Sequence, residues 1–495
     1  MKPRPARKKL RVDAHSKPPV RGHNRWVSIG GFLVILAVAA IIRTFAALND
    51  LWLDEIWSLR VVGQISSPLD VFTKIHFDNN HYLNSLWLYL CGFRGNWPGY
   101  RIPSLLAGVG TVILAGLIGR RRNVSAAFFA MLLMAFSYVQ ILYSSEARGY
   151  SAAVFFSLFS YYLLENYLEK RRWHSAVLLS ISSVLGFTSH LIFLNFFCAA
   201  LLWSGYRLVK SGIGVKRAFT AMLACYAAPT IFLAALYWID IRHMVVGGGT
   251  PTSLPGIYAS SLAWTLGAPS GNSMPQLASF AAIVLFGAGI WILWRDKPDS
   301  AIPFVAVILV MPILLATIYN AEDVYVRYFI IGMAFLLILS SFVLAVLYRL
   351  GSLGKAISFL LLIVYFAANG WHTLSLFKDG RGKYTEAIRF LAENTKESTV
   401  TIGGDHDFRI PLIIEFYASN AMGKKRAEYY KRESWPQSGP EWFVSHKESF
   451  EDPVPPASMG TGFTDFAGNQ YELLKTFPTA PLSGFHWFVY HNRAK

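Results

Sequence analysis

Eleven long apolar runs constrain the fold of this chain more than any other feature of the sequence. A helix that crosses a lipid bilayer needs about 20 mostly apolar residues. Only 15% of the residues are charged, whereas about a quarter are charged in a typical soluble protein. The sequence therefore predicts a mainly α, polytopic membrane protein with about eleven transmembrane helices. The predicted spans are 26–48, 100–118, 125–143, 150–168, 176–187, 191–209, 218–239, 277–294, 301–319, 328–347 and 356–374.

Basic residues mark every second loop between these runs. Cytoplasmic loops of membrane proteins are enriched in Lys and Arg, so the alternation predicts a cytoplasmic N-terminus and a C-terminal segment on the outer side. The net charge of +17 then indicates contact with anionic lipid head groups rather than with nucleic acid. The basic, proline-containing start is interpreted as a tail before a retained signal-anchor. The basic segments are 1–25, 120–122, 169–172, 210–217, 295–297 and 349–355.

The composition changes near residue 377, where a charged segment follows the last apolar run. Apolar spacing predicts helices over 384–394 and 410–417, and β-branched and aromatic residues predict strands over 399–402 and 487–490. About a hundred residues are enough for a small α/β domain. The predicted units are a basic tail at 1–25, a transmembrane domain at 26–376 and a periplasmic α/β domain at 377–495.

Two of the predicted outer loops are long. In the first, 49–99, the segments 56–64 and 81–93 predict short amphipathic helices that lie along the membrane interface, because they are too short to span it. The second, 240–276, contains three consecutive glycines. It is interpreted as a mobile loop rather than a phosphate cradle, because no strand-to-helix context accompanies the glycines.

The first outer loop begins with the stretch LWLDEIWS at 51–58, which is the strongest candidate for chemistry. In one interpretation, one carboxylate of the Asp54-Glu55 pair takes a proton from an incoming hydroxyl while its neighbour holds a substrate or a metal ion. In the other, both acids are solvated charges at a helix start, where the helix dipole favours them. The flanking Trp52 and Trp57 favour the first interpretation, because paired carboxylates at an apolar depth are costly.

The same loop carries His76, Asp78 and His81 within six residues. These side chains can hydrogen-bond a sugar or a phosphate, form a solvated turn, or ligate a metal ion. We rank substrate contact first and a metal site third, because the five-residue separation of the histidines is a weak metal signal. No metal ligands are assigned, and a divalent cation remains open as the one cofactor to consider.

Two arginines lie on the predicted outer side, where positive charge is depleted. Arg148 lies in the turn EARGY at 146–150, and Arg327 lies in the segment DVYVRY at 323–328. Outward arginines fit the recognition of an anionic lipid phosphate through charge-assisted, bidentate hydrogen bonds. The alternative is that each side chain snorkels to the interface.

Three further polar features receive simpler interpretations. Arg43, in the last turns of the first apolar run, either snorkels to the interface or faces the site. His190, at an outer helix end, is interpreted as a structural hydrogen-bonding residue. The run DHD at 405–407 follows a predicted strand and is interpreted as turn chemistry.

Taken in chain order, these motifs resemble those of the glycosyltransferase C superfamily. The stretch LWLDE at 51–55 resembles its first-outer-loop motif, and DNNHYL at 78–83 resembles its second loop motif, with Tyr82-Leu83 where the family usually has Pro-Pro. RIPSL at 101–105, EARGY at 146–150 and Arg327-Tyr328 resemble later motifs of the family. Within the superfamily, the resemblance is to protein O-mannosyltransferase-like enzymes and to bacterial lipid A aminoarabinose and galacturonic acid transferases.

The resemblance implies an inverting membrane glycosyltransferase of the bacterial inner membrane. It would move a sugar from a polyprenyl-phosphate donor to a hydroxyl of a glycan, lipid or protein acceptor on the outer face, with Asp54 as the general base. Membrane lipids are expected as further partners, and no nucleic acid. The implied substrate-contacting residues are Glu55, His76, Asp78, His81, Glu146, Arg148, Tyr150, Arg327 and Tyr328.

Three other function classes remain as alternatives. A flippase for a lipid-linked sugar is the runner-up, but transporters favour polar residues at mid-membrane and internal repeats. Here the polar motifs gather at the predicted outer ends. An oligosaccharide polymerase or ligase is a third possibility, and a binding or scaffold protein that uses only the outer domain is a fourth.

Overall fold

Helices make up most of the structure, a computed structural model that describes residues 23–92, 97–247, 253–268, 274–318 and 324–495. Most of the predicted tail and parts of three predicted outer loops lie outside these residues. The described α-helices, numbered α1 to α20 in chain order, are His23–Ala46, Leu53–Val62, Asp70–Thr73, Tyr82–Cys91, Trp97–Tyr100, Ile102–Arg120, Val124–Phe136, Tyr138–Ser144, Tyr150–Lys170, Trp173–Ser189, Phe193–Lys210, Val215–Ile239, Leu254–Thr265, Met274–Asp296, Ile302–Val305, Met311–Ile318, Ile330–Arg349, Ser352–Asp379, Tyr384–Asn394 and Arg409–Ala421.

Seven helical segments among the described residues are long and apolar enough to cross a membrane. An eighth is added if α7 and α8, which meet at a bend of 60°, form one broken span. Each predicted span overlaps at least one helix, but α9, α10 and α11 do not meet the same length and apolarity criterion. A polytopic helical membrane protein is therefore confirmed, and the number eleven stays a prediction.

Helix α17 is the centre of the bundle. Its residues from Ile330 to Ala345 are all buried, and it packs against α7, α14 and α18. A helix that is apolar on every side is stable only when other helices or lipid surround it. The surrounding helices of this protein, rather than lipid alone, therefore cover the predicted span at 328–347.

A break between α7 and α8 redirects the chain toward the predicted outer loops. Tyr138, at the start of α8, donates its backbone N–H to the side-chain oxygen of Asn369 at 2.8 Å. The guanidinium of Arg43 donates to two carbonyls in the last turn of α7, each at 3.0 Å. Unpaired backbone groups are costly in an apolar interior, so these bonds stabilise the break. Arg43, which is fully buried, neither snorkels nor faces the site.

The two short helices predicted in the first outer loop are present as α2 and α4, and they are not free at a surface. Trp52 and Ile56 share one hydrophobic cluster with Ile388, Ile410 and Trp487 of the C-terminal region. Helix α2 also packs against α20. The C-terminal region therefore covers α2, and the placement of the two helices along the membrane interface stays a prediction.

The C-terminal region is an α/β domain with a mixed sheet. Its strands pair in the order β2-β1-β3-β6-β5-β4. Strand β1 is parallel to β2 and β3, whereas the other neighbours are antiparallel. Helices α19 and α20 and strands β1 and β6 confirm the four elements predicted there. The strands β1 to β6 are Thr399–Gly404, Arg426–Tyr429, Trp442–Glu448, Gly462–Thr464, Gln470–Phe477 and Phe485–Asn492.

A buried arginine, Arg381, fastens this domain to the helical bundle. Its guanidinium lies 3.2 Å from a carboxylate oxygen of Glu146 and donates to Asn49 at 2.6 Å and to the Leu142 carbonyl at 2.8 Å. Ser483 donates to the same Glu146 oxygen at 2.7 Å. Both members of the ion pair are fully buried, so removing either one would leave a buried charge without its partner.

We expect Arg381→Met to lower the free energy of unfolding by about 3 to 5 kcal/mol, the cost of breaking a buried ion pair from one side. The matched control is Lys383→Met. Lys383 lies 3.6 Å from Asp379 in a partly exposed pair, and its loss should cost no more than about 1 kcal/mol. Thermal unfolding of the purified variants in detergent measures both. Equal unfolding midpoints would show that Arg381 is not a structural anchor.

Candidate functional site

A cavity of about 870 Å³ lies between the first outer loop, the adjoining helix ends and the C-terminal domain. Binding sites for small molecules are usually concave and largely apolar, with a few convergent polar groups. The bundle and its loops contribute one wall, with Trp52, Asp54, Asp78, His81, Arg148, Tyr150, His190, Arg327 and Tyr328. The C-terminal domain contributes the other, with His406, Phe408, Arg409, Glu448 and Phe485.

Asp54 lies at the centre of the polar part of this cavity. It occupies the first turn of α2, where the helix dipole favours an acidic residue. Its carboxylate forms an ion pair with Arg148, and the same oxygen lies 3.7 Å from a guanidinium nitrogen of Arg327. The fold therefore brings together the predicted base and both predicted phosphate-binding arginines.

Aromatic rings hold the two guanidinium groups in place. Arg148 and Arg327 lie 5.7 Å and 5.8 Å from the ring centre of Trp52, and Arg327 lies 4.3 Å from that of Tyr325. Such cation–π contacts favour the charged form without using its N–H donors. The Nε atoms of both arginines have no hydrogen-bond partner among the described residues. Burial lowers the pKa of Arg148 to about 10, so it is still charged at neutral pH.

Glu55, the neighbour of Asp54, does not line the cavity. It is fully buried and receives two hydrogen bonds from Arg101, at 2.8 Å and 2.6 Å, and one from the Ala147 N–H at 2.7 Å. Burial raises the pKa of Glu55, but Arg101, Arg381 and the Ala147 N–H together outweigh burial and lower the pKa overall. The predicted substrate contact is therefore wrong for Glu55. Its bond to Ala147 instead places Arg148, the next residue, opposite Asp54.

Glu146 and His76 also lie outside the cavity lining. Glu146 is the buried partner of Arg381 described above. His76 hydrogen-bonds the carboxylate of Asp240, which is fully buried and also accepts the hydroxyl proton of Tyr82. The two predicted substrate contacts are corrected to structural roles. His76 ties the first outer loop to the segment that follows α12.

His81 and His190 lie side by side in the cavity wall, with ring centres 4.5 Å apart. The Nδ1 of His81 accepts the Gly149 N–H at 2.9 Å, and its Nε2 is buried without a described partner. Burial lowers the pKa of His81 to about 3, so the ring is neutral and carries its proton on Nε2. A side chain at Gly149 would collide with the Ser189 carbonyl, so only glycine allows this close approach.

The remaining predicted residues line the cavity. Asp78 donates its backbone N–H to the Val245 carbonyl at 3.1 Å, and burial raises the pKa of its carboxyl group. Tyr150 and Tyr328 contribute aromatic surface. Among the described residues, no group of three or more His, Cys, Asp and Glu side chains is arranged to hold a metal ion.

The part of the cavity lining that the C-terminal domain contributes was not predicted from the sequence. His406 follows β1 and lines the cavity, although the run that contains it was interpreted as a turn. Arg409, at the start of α20, lies 2.8 Å from Glu448 in the same wall. A signal was present, because ligands often bind beyond the carboxyl ends of parallel strands and this polar run follows such a strand.

The helical bundle, the α/β domain that covers it and the cavity between them make up the fold of this polytopic membrane protein. That fold is similar to the fold of ArnT from Cupriavidus metallidurans in the apo state, with a TM-score of 0.50 and 11% sequence identity, over 85% of this chain and 93% of that chain. This similarity shows a shared fold, and membership of the glycosyltransferase C superfamily stays a prediction from the motifs.

Two further solved structures are similar at lower TM-scores. One is ArnT from Cupriavidus metallidurans bound to undecaprenyl phosphate, with a TM-score of 0.48 and 12% identity, over 94% of this chain and 98% of that chain. The other is the oligosaccharyltransferase of Archaeoglobus fulgidus in complex with Zn and sulfate, with a TM-score of 0.46 and 12% identity, over 83% of this chain and 67% of that chain. No protein-family model and no curated protein matches the sequence.

The neutral state of buried His81 predicts a pH dependence of stability. An unfolded histidine has a pKa near 6.5, whereas His81 has a pKa of about 3 in the folded chain. Between these values the unfolded state binds more protons, so His81 makes the free energy of unfolding fall with decreasing pH, by at most about 1.4 kcal/mol per pH unit.

We expect His81→Asn to remove this contribution, because the Asn side-chain oxygen can still accept the Gly149 N–H but does not titrate. Unfolding midpoints measured from pH 7 to pH 4 should then fall less steeply than in the parent protein. His174→Asn, at an exposed histidine, is the matched control. If the unfolding midpoint fell equally steeply with pH in His81→Asn and in the parent, a neutral, buried His81 would be contradicted.

Proposed function

We propose that this chain is an integral membrane glycosyltransferase that moves a sugar from a polyprenyl-phosphate donor to an acceptor hydroxyl at the predicted outer face. The observation that carries the proposal is one carboxylate, Asp54, paired with two arginines in an aromatic-lined cavity. The motif resemblance and the fold support the reaction class. The predicted orientation places the cavity on the outer side.

The arginines are suited to bind the donor phosphate. Arg148 and Arg327 share the single carboxylate of Asp54, so one positive charge is left over among these three residues. When the bond between the anomeric carbon and the phosphate oxygen breaks, negative charge grows on the leaving phosphate. Preorganised cations stabilise such charge most strongly in a site that excludes water.

Asp54 would act as the general base. The acceptor oxygen attacks the anomeric carbon, the proton of the hydroxyl moves to the Asp54 carboxylate, and the polyprenyl phosphate leaves with the electron pair of the broken bond. A single displacement of this kind inverts the anomeric configuration. A donor phosphate competes with Asp54 for Arg148 and Arg327, and a carboxylate that loses cationic partners becomes a stronger base. Donor binding would therefore activate the base.

The aromatic lining suits a sugar. Trp52, Trp57, Tyr325 and Tyr328 all line the cavity, and such rings offer an apolar face together with a polar edge or tip. A pyranose or furanose ring has apolar C–H faces and polar hydroxyl edges, so it matches both features. The neutral His81, with its proton on Nε2, adds a hydrogen-bond donor to the same wall.

The wall formed by the C-terminal domain would contact the acceptor. The arginines that bind the donor phosphate lie in the wall formed by the bundle, whereas His406 and Arg409 line the opposite side. We assign to Arg409 a role in acceptor binding, because a guanidinium beside an aromatic ring, here Phe485 at 5.0 Å, presents donors to hydroxyl or anionic groups.

The direct test is Asp54→Asn, which keeps the shape of the side chain but removes its ability to accept a proton. Transfer of a labelled sugar from a polyprenyl-phosphate donor should fall by about 100-fold to 10,000-fold, while thermal unfolding shows a folded protein. Asp70→Asn is the matched control, because Asp70 lies in the same loop, is paired with Lys74 and does not line the cavity. Full transfer by Asp54→Asn would remove Asp54 as the base.

The same preparation separates an enzyme from a flippase. Parent protein reconstituted in vesicles with labelled donor should form glycosylated product in the presence of acceptor. Movement of the donor across the vesicle membrane without any product would support the transporter alternative and contradict the proposed reaction.

The assignment of the acceptor wall predicts a selective defect in Arg409→Gln. The KM for the acceptor should rise by about tenfold or more, because the loss of one charge-assisted hydrogen bond weakens binding by about this factor. Hydrolysis of the donor by water should be unchanged. Arg432→Gln removes an exposed arginine of the same domain and serves as the control. An equal loss of donor hydrolysis in Arg409→Gln would place Arg409 on the donor side instead.

A further inference from the structure

A second cavity, of about 800 Å³, lies at the opposite end of the bundle. Helices α6, α9 and α17 start near the first cavity and run to the second, and helices of about 20 residues span about 30 Å. The second cavity is lined by residues at or just beyond the C-terminal ends of α6, α9, α11, α14 and α17. These ends belong to basic segments that the sequence places in the cytoplasm.

The lining of this second cavity has more cations than carboxylates. Arg121 lies 3.2 Å from Glu165 and 3.7 Å from Glu169, and Arg122 lies 2.7 Å from Asp296. Three further cations of the lining have no carboxylate within salt-bridge distance among the described residues: Arg207, Lys297 and Arg349. The residues in ion pairs fix the walls of the second cavity. The three cations without a carboxylate partner give its lining an excess of positive charge.

Apolar side chains form the rest of the lining. Ile292 and Val346 line the same cavity as the cations and keep part of their apolar surface exposed, whereas Ile118, Leu293, Phe304 and Phe342 line it as buried residues. The guanidinium of Arg122 lies 4.8 Å from the ring centre of Phe342, so charged and apolar surfaces meet directly. A small soluble anion would leave this apolar surface in contact with water. An amphiphile with an anionic head and an apolar body would cover both surfaces.

We propose that this cavity binds the phosphodiester head group of an anionic membrane phospholipid. The phosphate would lie between Arg207, Lys297 and Arg349, and the first segment of the acyl chains would lie against Ile292 and Val346. Basic pockets between transmembrane helices on the cytoplasmic side bind such head groups in other membrane proteins. The volume lies within the range of small-molecule sites.

The proposal is independent of the proposed glycosyl transfer. None of the residues that line the second cavity lines the first. Lipid binding at the second cavity can therefore be lost while Asp54, Arg148 and Arg327 are unchanged, and loss of transfer in Asp54→Asn leaves the second cavity intact. The two proposals can fail separately.

The test uses the purified full-length chain in detergent with three probes: phosphatidylglycerol, phosphatidylcholine and inorganic phosphate. Native mass spectrometry counts retained lipid, and thermal unfolding reports stabilisation. Arg207→Gln/Arg349→Gln should bind phosphatidylglycerol about 30-fold more weakly than the parent, because each cation near an anionic lipid contributes about 1 kcal/mol. The matched control is Lys216→Gln/Arg217→Gln, which removes two exposed cations from the same predicted side.

We expect phosphatidylglycerol to raise the unfolding midpoint of the parent and of the control, and phosphatidylcholine and inorganic phosphate to raise it little. Lys297→Gln/Arg349→Gln, at two exposed positions, provides a second variant if the first does not fold. Unchanged phosphatidylglycerol binding in the folded variant would overturn the proposal, and so would equal stabilisation by phosphatidylcholine. Equal stabilisation by inorganic phosphate would indicate a soluble anion rather than a lipid.

Discussion

Glu55 and Arg101 form a fully buried, two-point ion pair beneath the candidate site. Taking both charges out of water is costly, and their mutual attraction offsets this cost only when the geometry is good and the remaining hydrogen bonds are made. Those bonds are present here, because the Ala147 N–H donates to Glu55 and backbone carbonyls accept from Arg101. The pair therefore fixes positions more than it adds stability. It connects α2, which carries Asp54, to the turn that carries Arg148.

The adjacent acids Asp54 and Glu55 therefore lie in opposite environments. Asp54 is partly exposed in a cavity and shares two cations that would also bind the donor phosphate in the proposed reaction, whereas Glu55 is enclosed and has every oxygen occupied by the protein. Glu146 is likewise buried beside a guanidinium, that of Arg381, but its second oxygen has no hydrogen-bond partner among the described residues. Two buried carboxylate–guanidinium pairs therefore hold the outer loops and the C-terminal domain in place around Asp54, whose carboxylate lies in the cavity.

Part of this arrangement could be predicted from the sequence. Apolar length identified the helices, because the bilayer imposes a minimum length on each span, and charge depletion on the outer side identified Arg148 and Arg327. The distinction between Asp54 and Glu55 could not be predicted, since it depends on Arg101, which is distant in the chain. The place of His406 in the cavity could not be predicted either, because the other residues of the lining are distant from it in the chain. The strands β2, β4 and β5 carried too little apolar periodicity, because several of their residues are exposed.

The hydrophobic cluster shared by α2, α4 and the C-terminal domain has a consequence for how substrates reach the site. A domain whose interior is continuous with the helices below it cannot swing away as a rigid cap without exposing that interior to water. We therefore expect the C-terminal domain to stay in place over the cavity and substrates to enter at the cavity's margin. A long isoprenoid tail would remain in the bilayer while only its phosphate and sugar enter from the side, so the width of the marginal gap, rather than a hinge motion, would set the largest acceptor that is admitted.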